Sequence, residues 1–294
     1  MIDAHTHVPT HRDTVPPDEL VVNAKWRPDR PVAATTTWHE YEHAFADVEV
    51  AISFTIALDR TREDTGLNDA VAAFVAADPG RRIGFLSVHP ELEGARDEVV
   101  RATEELGLKG IKLGPNYQIF DPLGEAALRL YDLAERRNLP IMFHQGASPV
   151  RDAPLRYAHP LLMDEIAIRF PELRIVMAHM GHPWQRETIV TIRKHPHVYA
   201  DVSALFYRPW SLYEGLRLAT EWGALGKLLF GSDYPIATPA ETAAGLLRVN
   251  DPIAGTALPP VPLDAIEELI ERDPLPLLGL ERPSWTGQSP TAPF

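Results

Sequence analysis

Asp3-Ala4-His5-Thr6-His7 lies near the start of a 294-residue chain, inside a short run bounded by Ile2 and Val8. In a β-strand alternate side chains share a face, so His5 and His7 project together, about 6.6 Å apart along the strand, as neighbouring ligands of one metal ion would. Alone, the pair also reads as two partly buried polar residues. Its weight comes from downstream, where Phe143-His144, Ala178-His179 and Ser232-Asp233 each stand at the C-terminal end of a short apolar run.

Those runs set the expected fold. Residues 2–8, 50–57, 83–89, 110–113, 140–145, 173–179, 198–203 and 227–233 read as strands. Residues 38–48, 67–78, 97–106, 124–137, 161–170, 184–194, 212–222, 240–249 and 263–271 read as helices; Leu67, Ala70, Val71, Phe74 and Val75, for example, share one helical face before the stop at Pro79-Gly80. The segment 9–37, rich in Pro, Asp and Thr, is too broken for a regular element, and a loop of that length inside a compact domain is usually functional. Strands alternating with helices in this way predict an α/β fold, a (β/α)8 TIM barrel formed by residues 1–294 as one domain. A doubly wound open sheet shares the alternation, but it would carry a Gly-rich phosphate turn after its first strand, where this chain has histidines. In a barrel every strand end meets at one face, and active sites lie there.

Composition narrows the function. Lys and Arg number 28 against 41 Asp and Glu, a net charge of −13 with no basic block, so nucleic acid and anionic membranes are not expected partners and a small molecule is. Cysteine is absent, which removes disulfides, thiolate metal sites and a cysteine nucleophile, and leaves His and carboxylates to hold any metal. No apolar run approaches the ~18 residues of a membrane span. The chain opens on a candidate strand rather than a charged and apolar leader, so the expected location is cytoplasmic.

The order of these motifs resembles the amidohydrolase superfamily, specifically the amidohydrolase-2 group that includes aminocarboxymuconate-semialdehyde decarboxylase and related lactonases and hydrolases. The matching residues are His5-Thr6-His7, Phe143-His144, Met177-Ala178-His179-Met180-Gly181 and Gly231-Ser232-Asp233-Tyr234-Pro235, with residues 169–176 and 198–203 also similar. The resemblance implies that His5, His7, His144 and Asp233 hold one divalent ion, zinc foremost and manganese as the alternative, with water completing the shell. Neutral imidazoles and a carboxylate suit such an ion, and an open position is what catalysis requires. The resulting charge near +1 would favour ionisation of the bound water, whose pKa can fall to about 7. Asp233 is implied both to ligate and to move a proton, and His179 to orient the substrate or act as acid or base. Binuclear relatives carry a bridging carboxylated lysine where Lys112 stands, but the group is usually mononuclear, so one ion is expected. Arg60, Tyr117, Arg151, Tyr207 and Arg208 follow strand ends and are expected at the pocket rim, where an arginine would hold a substrate carboxylate through two hydrogen bonds.

The expected activity is metal-dependent hydrolysis of a lactone, ester or amide carbonyl, with non-oxidative decarboxylation of an unsaturated or aromatic carboxylic acid as the alternative. Many decarboxylases of the group replace the first histidine with Glu, whereas this chain keeps His5. A non-catalytic protein stapled by its metal is the reading from another class, and such a site would fill its fourth position with protein. A homodimer is common in the family.

Overall fold

The computed structural model describes residues 1–9, 26–32, 36–56, 66–148 and 150–284. The first half runs β1 (Ile2–His7), α1 (Trp38–Ala44), β2 (Val50–Phe54), α2 (Gly66–Ala76), β3 (Arg82–Leu86), α3 (Ala95–Glu104) and β4 (Gly110–Leu113). A single-turn helix, α4 (Pro115–Gln118), precedes α5 (Glu125–Arg136), β5 (Ile141–Phe143), α6 (Leu161–Arg169), β6 (Ile175–Met177) and α7 (Gln185–Lys194). The chain closes with β7 (Val198–Asp201), α8 (Pro209–Glu221), β8 (Leu228–Leu229), α9 (Pro239–Leu247) and α10 (Leu263–Glu271).

All eight strands pair in parallel in sequence order, the topology of a TIM barrel. β8 is only two residues long, so the seam back to β1 is sealed by the chain beyond it. Ala4 N donates to Phe230 O at 3.0 Å, Asp233 N to His5 O at 2.8 Å and His7 N to Tyr234 O at 2.8 Å.

Side-chain alternation along the strands splits the core into two layers. Ile52, Phe54, Phe85, Met142, Val176, Tyr199 and Leu229 form an inner cluster with Leu275 and Leu278 from beyond α10. The alternate positions, among them Ile111, Leu113, Ile141, Phe143 and Ile175, pack instead against Val71 and Phe74 of α2, Val99 of α3, Leu130 of α5 and Ile189 of α7. Capping fixes two helix starts. Thr37 with Glu40, and Thr238 with Glu241 behind Pro239, form reciprocal capping boxes, each worth about 1 kcal/mol.

The strands end earlier than their apolar runs. Residues 173–179 form a strand only at Ile175–Met177, because His179 and Met180 turn into the left-handed region at φ 57° and 48°. Residues 227–233 likewise yield Leu228–Leu229, and Asp233 stands at φ 61°. α8 begins at Pro209 rather than at residue 212, since proline in a helix's first turn lacks only an N–H that would have no helical partner. Among the described residues no helix is long and apolar enough to cross a membrane.

Candidate active site

β1 carries His5 and His7 to the C-terminal end of the barrel, and the turn after β8 brings Asp233 to them. His5 Nε2 lies 3.3 Å and His7 Nε2 3.4 Å from Asp233 Oδ1. Ligand atoms of these three residues all fall within 4.8 Å of one another. Asp233 reaches this place through an uncommon left-handed backbone, pinned by its own N–H on His5 O and by Ile236 N on its carbonyl, both at 2.8 Å.

His144 follows β5, its backbone N–H donating to Leu113 O at 2.8 Å. It lies outside the 4.8 Å group. Its ring centroid is 4.5 Å from that of Tyr117 and 5.0 Å from that of His179. Its Nε2 is buried without a hydrogen-bond partner among the described residues. His5 has its Nδ1 committed to Asp201 Oδ2 at 2.8 Å, which leaves Nε2 as a lone pair facing Asp233. Imidazole nitrogens with lone pairs, one ionised carboxylate and an orphaned buried ring nitrogen are a donor set that fits a divalent first-row ion.

At Asp233, His7, His144 and His179, though not at His5, the electrostatics favour the deprotonated forms a metal needs. Burial pushes the Asp233 carboxyl up, but His179 and the hydrogen bonds of His5 and His7 outweigh it and hold its pKa well below the usual range. Burial lowers His7 and His179 to about 4 despite Asp233, and takes His144 well below the usual imidazole value. His5 is raised: burial and Lys112 act downward, but Asp201 and Asp233 prevail.

Lys112, the penultimate residue of β4, is fully buried rather than on the surface. Its Nζ sits 3.4 Å from His5 Nε2 and 4.3 Å over the Phe54 ring, and burial lowers its pKa to about 8. Positive charge is thus held beside a candidate ligand nitrogen.

Two carboxylates join the site without having been singled out from sequence, together with Ser203, one of the polar residues the sequence places near a strand end. Asp201 Oδ1 accepts from His179 N at 3.0 Å, from Ser203 N at 3.1 Å and, through a short bond, from Ser203 Oγ, while Oδ2 accepts from His5 Nδ1. His5, His179 and Asp201 also bring ligand atoms within 4.8 Å, but these donors already engage the carboxylate, which therefore acts as scaffold. Asp3 Oδ1 accepts from His5 N at 3.1 Å and Ser232 N at 3.0 Å, tying β1 to the segment after β8, and burial raises its pKa to about 7. Asp201 and Ser203 alternate with apolar residues along β7 and just beyond it. Asp3 was not legible in this way: a register shift between Asp3 and Thr6 pairs Asp3 with Ala51 and His7 with Phe54, so the two lie on different faces of β1.

The rim residues divide. Tyr207 is almost fully buried; burial and Asp233 raise its phenol to about 12. Arg208 lies over the Tyr207 ring at 4.7 Å and spends its guanidinium on backbone, donating to Ala204 O at 2.8 Å and Trp26 O at 3.1 Å. Arg27 stacks on the same tyrosine from 4.8 Å. Tyr117, on α4, packs against His144. Arg151 is exposed in a turn, and Arg60 lies outside the described residues.

Solved structures share this architecture. An uncharacterized TIM-barrel protein from Bordetella bronchiseptica superposes with a TM-score of 0.71 at 20% identity, over 95% of this chain and 98% of that one. A dihydroxybenzoic acid decarboxylase from Polaromonas sp., with bound manganese and an inhibitor, gives 0.62 at 17% identity over 94% and 95%. A probable 2-pyrone-4,6-dicarboxylic acid hydrolase from Acinetobacter baumannii, with citric acid bound, gives 0.61 at 16% over 95% and 99%. At such identities these likenesses speak for the fold alone. The family model described as amidohydrolase matches residues 2–268, nearly the whole chain and every strand end described above, and the chain therefore belongs to the amidohydrolase family.

Proposed function

We propose that this chain is a hydrolase acting on the carbonyl of a small lactone, ester or amide that itself bears a carboxylate. The observation that carries the reading is one carboxylate oxygen of Asp233 lying 3.3 and 3.4 Å from two imidazole nitrogens at the barrel's C-terminal face, so that ligand and proton acceptor coincide. His5, His7, His144 and Asp233 would hold one divalent ion, zinc or manganese; the manganese bound in the Polaromonas enzyme supports a first-row ion. Such an ion supplies a Lewis acid that polarises a carbonyl and brings the pKa of water toward neutrality.

This chain's residues do the rest. Asp233, held ionised, takes the proton of the attacking water and returns it to the leaving group. The Lys112 ammonium, buried beside His5, offsets negative charge developing on the carbonyl oxygen, and burial strengthens that attraction. His179 stands across the site as the second proton-handling group. Tyr117 beside His144 and Tyr207 near Asp233 form apolar walls with a polar edge. The carboxylate on the substrate is supported by the acids named in the neighbouring structures. The whole chain acts as one barrel domain in this reading, and its freedom from cysteine agrees with a cytoplasmic setting.

A second reading, non-oxidative decarboxylation, is favoured by one observation: structures of this fold include decarboxylases of hydroxylated benzoic acids. One experiment separates them. The full chain, loaded with zinc or manganese, is incubated with a panel of carboxylated lactones and of dihydroxybenzoates, with products followed by NMR and released CO2 by mass spectrometry. Ring-opened acid without CO2 is the expected result; CO2 without addition of water would overturn it.

A further inference from the structure

We propose that Ser203 is a positioning residue: with Asp201 it fixes His179 with its proton on Nδ1, so that Nε2 presents a lone pair to the site. A serine hydroxyl owns one proton, and an ionised carboxylate can only accept. Ser203 Oγ is bonded to Asp201 Oδ1 by a short contact, and that contact takes the proton. Oγ then has only lone pairs left for His179 Nδ1, 2.8 Å away, so the imidazole must be the donor of that bond. In the reverse arrangement Ser203 would point its proton at the ring, and two oxygens would face each other with no hydrogen between them. Asp201 is held well below the usual carboxylate range by His5, His179 and Ser203 against the effect of its burial, in agreement with an obligate acceptor.

The backbone serves the same end. His179 occupies a left-handed conformation at φ 57°, uncommon for a residue with a side chain, and its N–H is tied to the same Asp201 Oδ1 at 3.0 Å. Through its other oxygen Asp201 sets His5 in the same tautomer. One carboxylate thus orders both a candidate ligand and its neighbour, whose ring centroids are 4.9 Å apart. A neutral His179 so held accepts at Nε2 and does not donate there. Of its two expected roles, orienting a carbonyl by donation or taking a proton, the relay selects the second. That consequence rests on the hydrolytic reading above, whereas the tautomer does not.

The test is a long-range 1H–15N correlation spectrum of the full, zinc-loaded chain labelled in its histidine rings, at pH 8, with His179 identified by the signals lost in His179→Gln. The expected spectrum shows a pyrrole-type Nδ1 and a pyridine-type Nε2 for His179. Ser203→Ala is expected to lose that preference and Ser203→Thr, which keeps the hydroxyl, to retain it. With any substrate found, Ser203→Ala should lower kcat roughly 10–100-fold and change KM by less than about twofold. A wild-type His179 protonated on Nε2, or a Ser203→Ala spectrum identical to wild type, overturns the proposal. If Ser203→Ala does not fold, the wild-type and Ser203→Thr spectra still decide it. If the chain proves to release CO2 while the expected spectrum holds, the hydrolytic reading fails and the relay stands.

Discussion

The two sides of the site are built differently. On the seam side, where β7 and β8 meet β1, four groups are tied, although Asp3 keeps one oxygen unpartnered among the described residues: His5 to Asp201, His179 to Ser203, Asp233 to His5 backbone, and Asp3 Oδ1 to both His5 and Ser232. On the β4–β5 side the polar atoms are buried but unpartnered among the described residues: His144 Nε2 and both amide atoms of Asn116 and of Gln145. An unsatisfied buried polar group costs about 1–3 kcal/mol, a cost retained where the group has something further to bind. In the proposed reading the seam side is the reference against which a ligand is placed, and the unpartnered atoms of the β4–β5 side are ones a ligand would satisfy.

The largest test of this contrast is Asp233→Asn, which keeps the shape and removes the charge. Turnover should fall roughly 10²–10⁴-fold, and elemental analysis should show less metal per chain. A loss smaller than tenfold would remove Asp233 from the chemistry. The next compares one histidine from each side in chelated protein. His5→Asn strips Asp201 Oδ2 of its donor and should cost about 1–3 kcal/mol in urea unfolding. His144→Leu removes an orphaned nitrogen and should leave stability unchanged or raised, although metal retention falls. Equal losses at the two positions would break the contrast.

The smallest test is a control distant from both sides. The Asp164 carboxylate is held below its usual range, burial acting upward but Lys194 and His195 outweighing it. A depressed folded-state pKa means that the unfolded chain binds more protons at acidic pH, so stability rises with pH through that window and is lost as pH falls through the folded value. Asp164→Asn should therefore cost less than about 1 kcal/mol at pH 7, with the difference vanishing below the carboxylate range in melts taken across pH. A difference that persisted in strong acid would assign the effect to packing.

Much of this was legible because barrels impose alternation and a shared end. Apolar runs located the strands, and a histidine or aspartate at the end of a run located the site. Strand ends were not legible: the left-handed turns at His179 and Asp233 depend on tertiary hydrogen bonds that no local propensity encodes. Asp201 lay inside a stretch that looked family-like yet had no role until its partner, at His5, was known to be adjacent. Arg208 reads from sequence as a hand for a carboxylate, but its hydrogen bonds to Ala204 and Trp26 make it a clasp for the loop, a fact only the folded chain contains. The single turn at α4 was hidden within an apparent loop because four residues carry no periodicity.

The seam also has a history in time. A ribosome delivers His5 and His7 first and Asp233 only after most of the chain, so the first strand waits unpaired on one edge throughout synthesis. The hydrogen bonds that complete the barrel are the same ones that bring Asp233 to the histidines, and they span nearly the full contour of the chain. Contacts of such sequence separation form late and slowly. A chain truncated before Phe230 could hold neither the closed wall nor the site, and completion of one reports completion of the other.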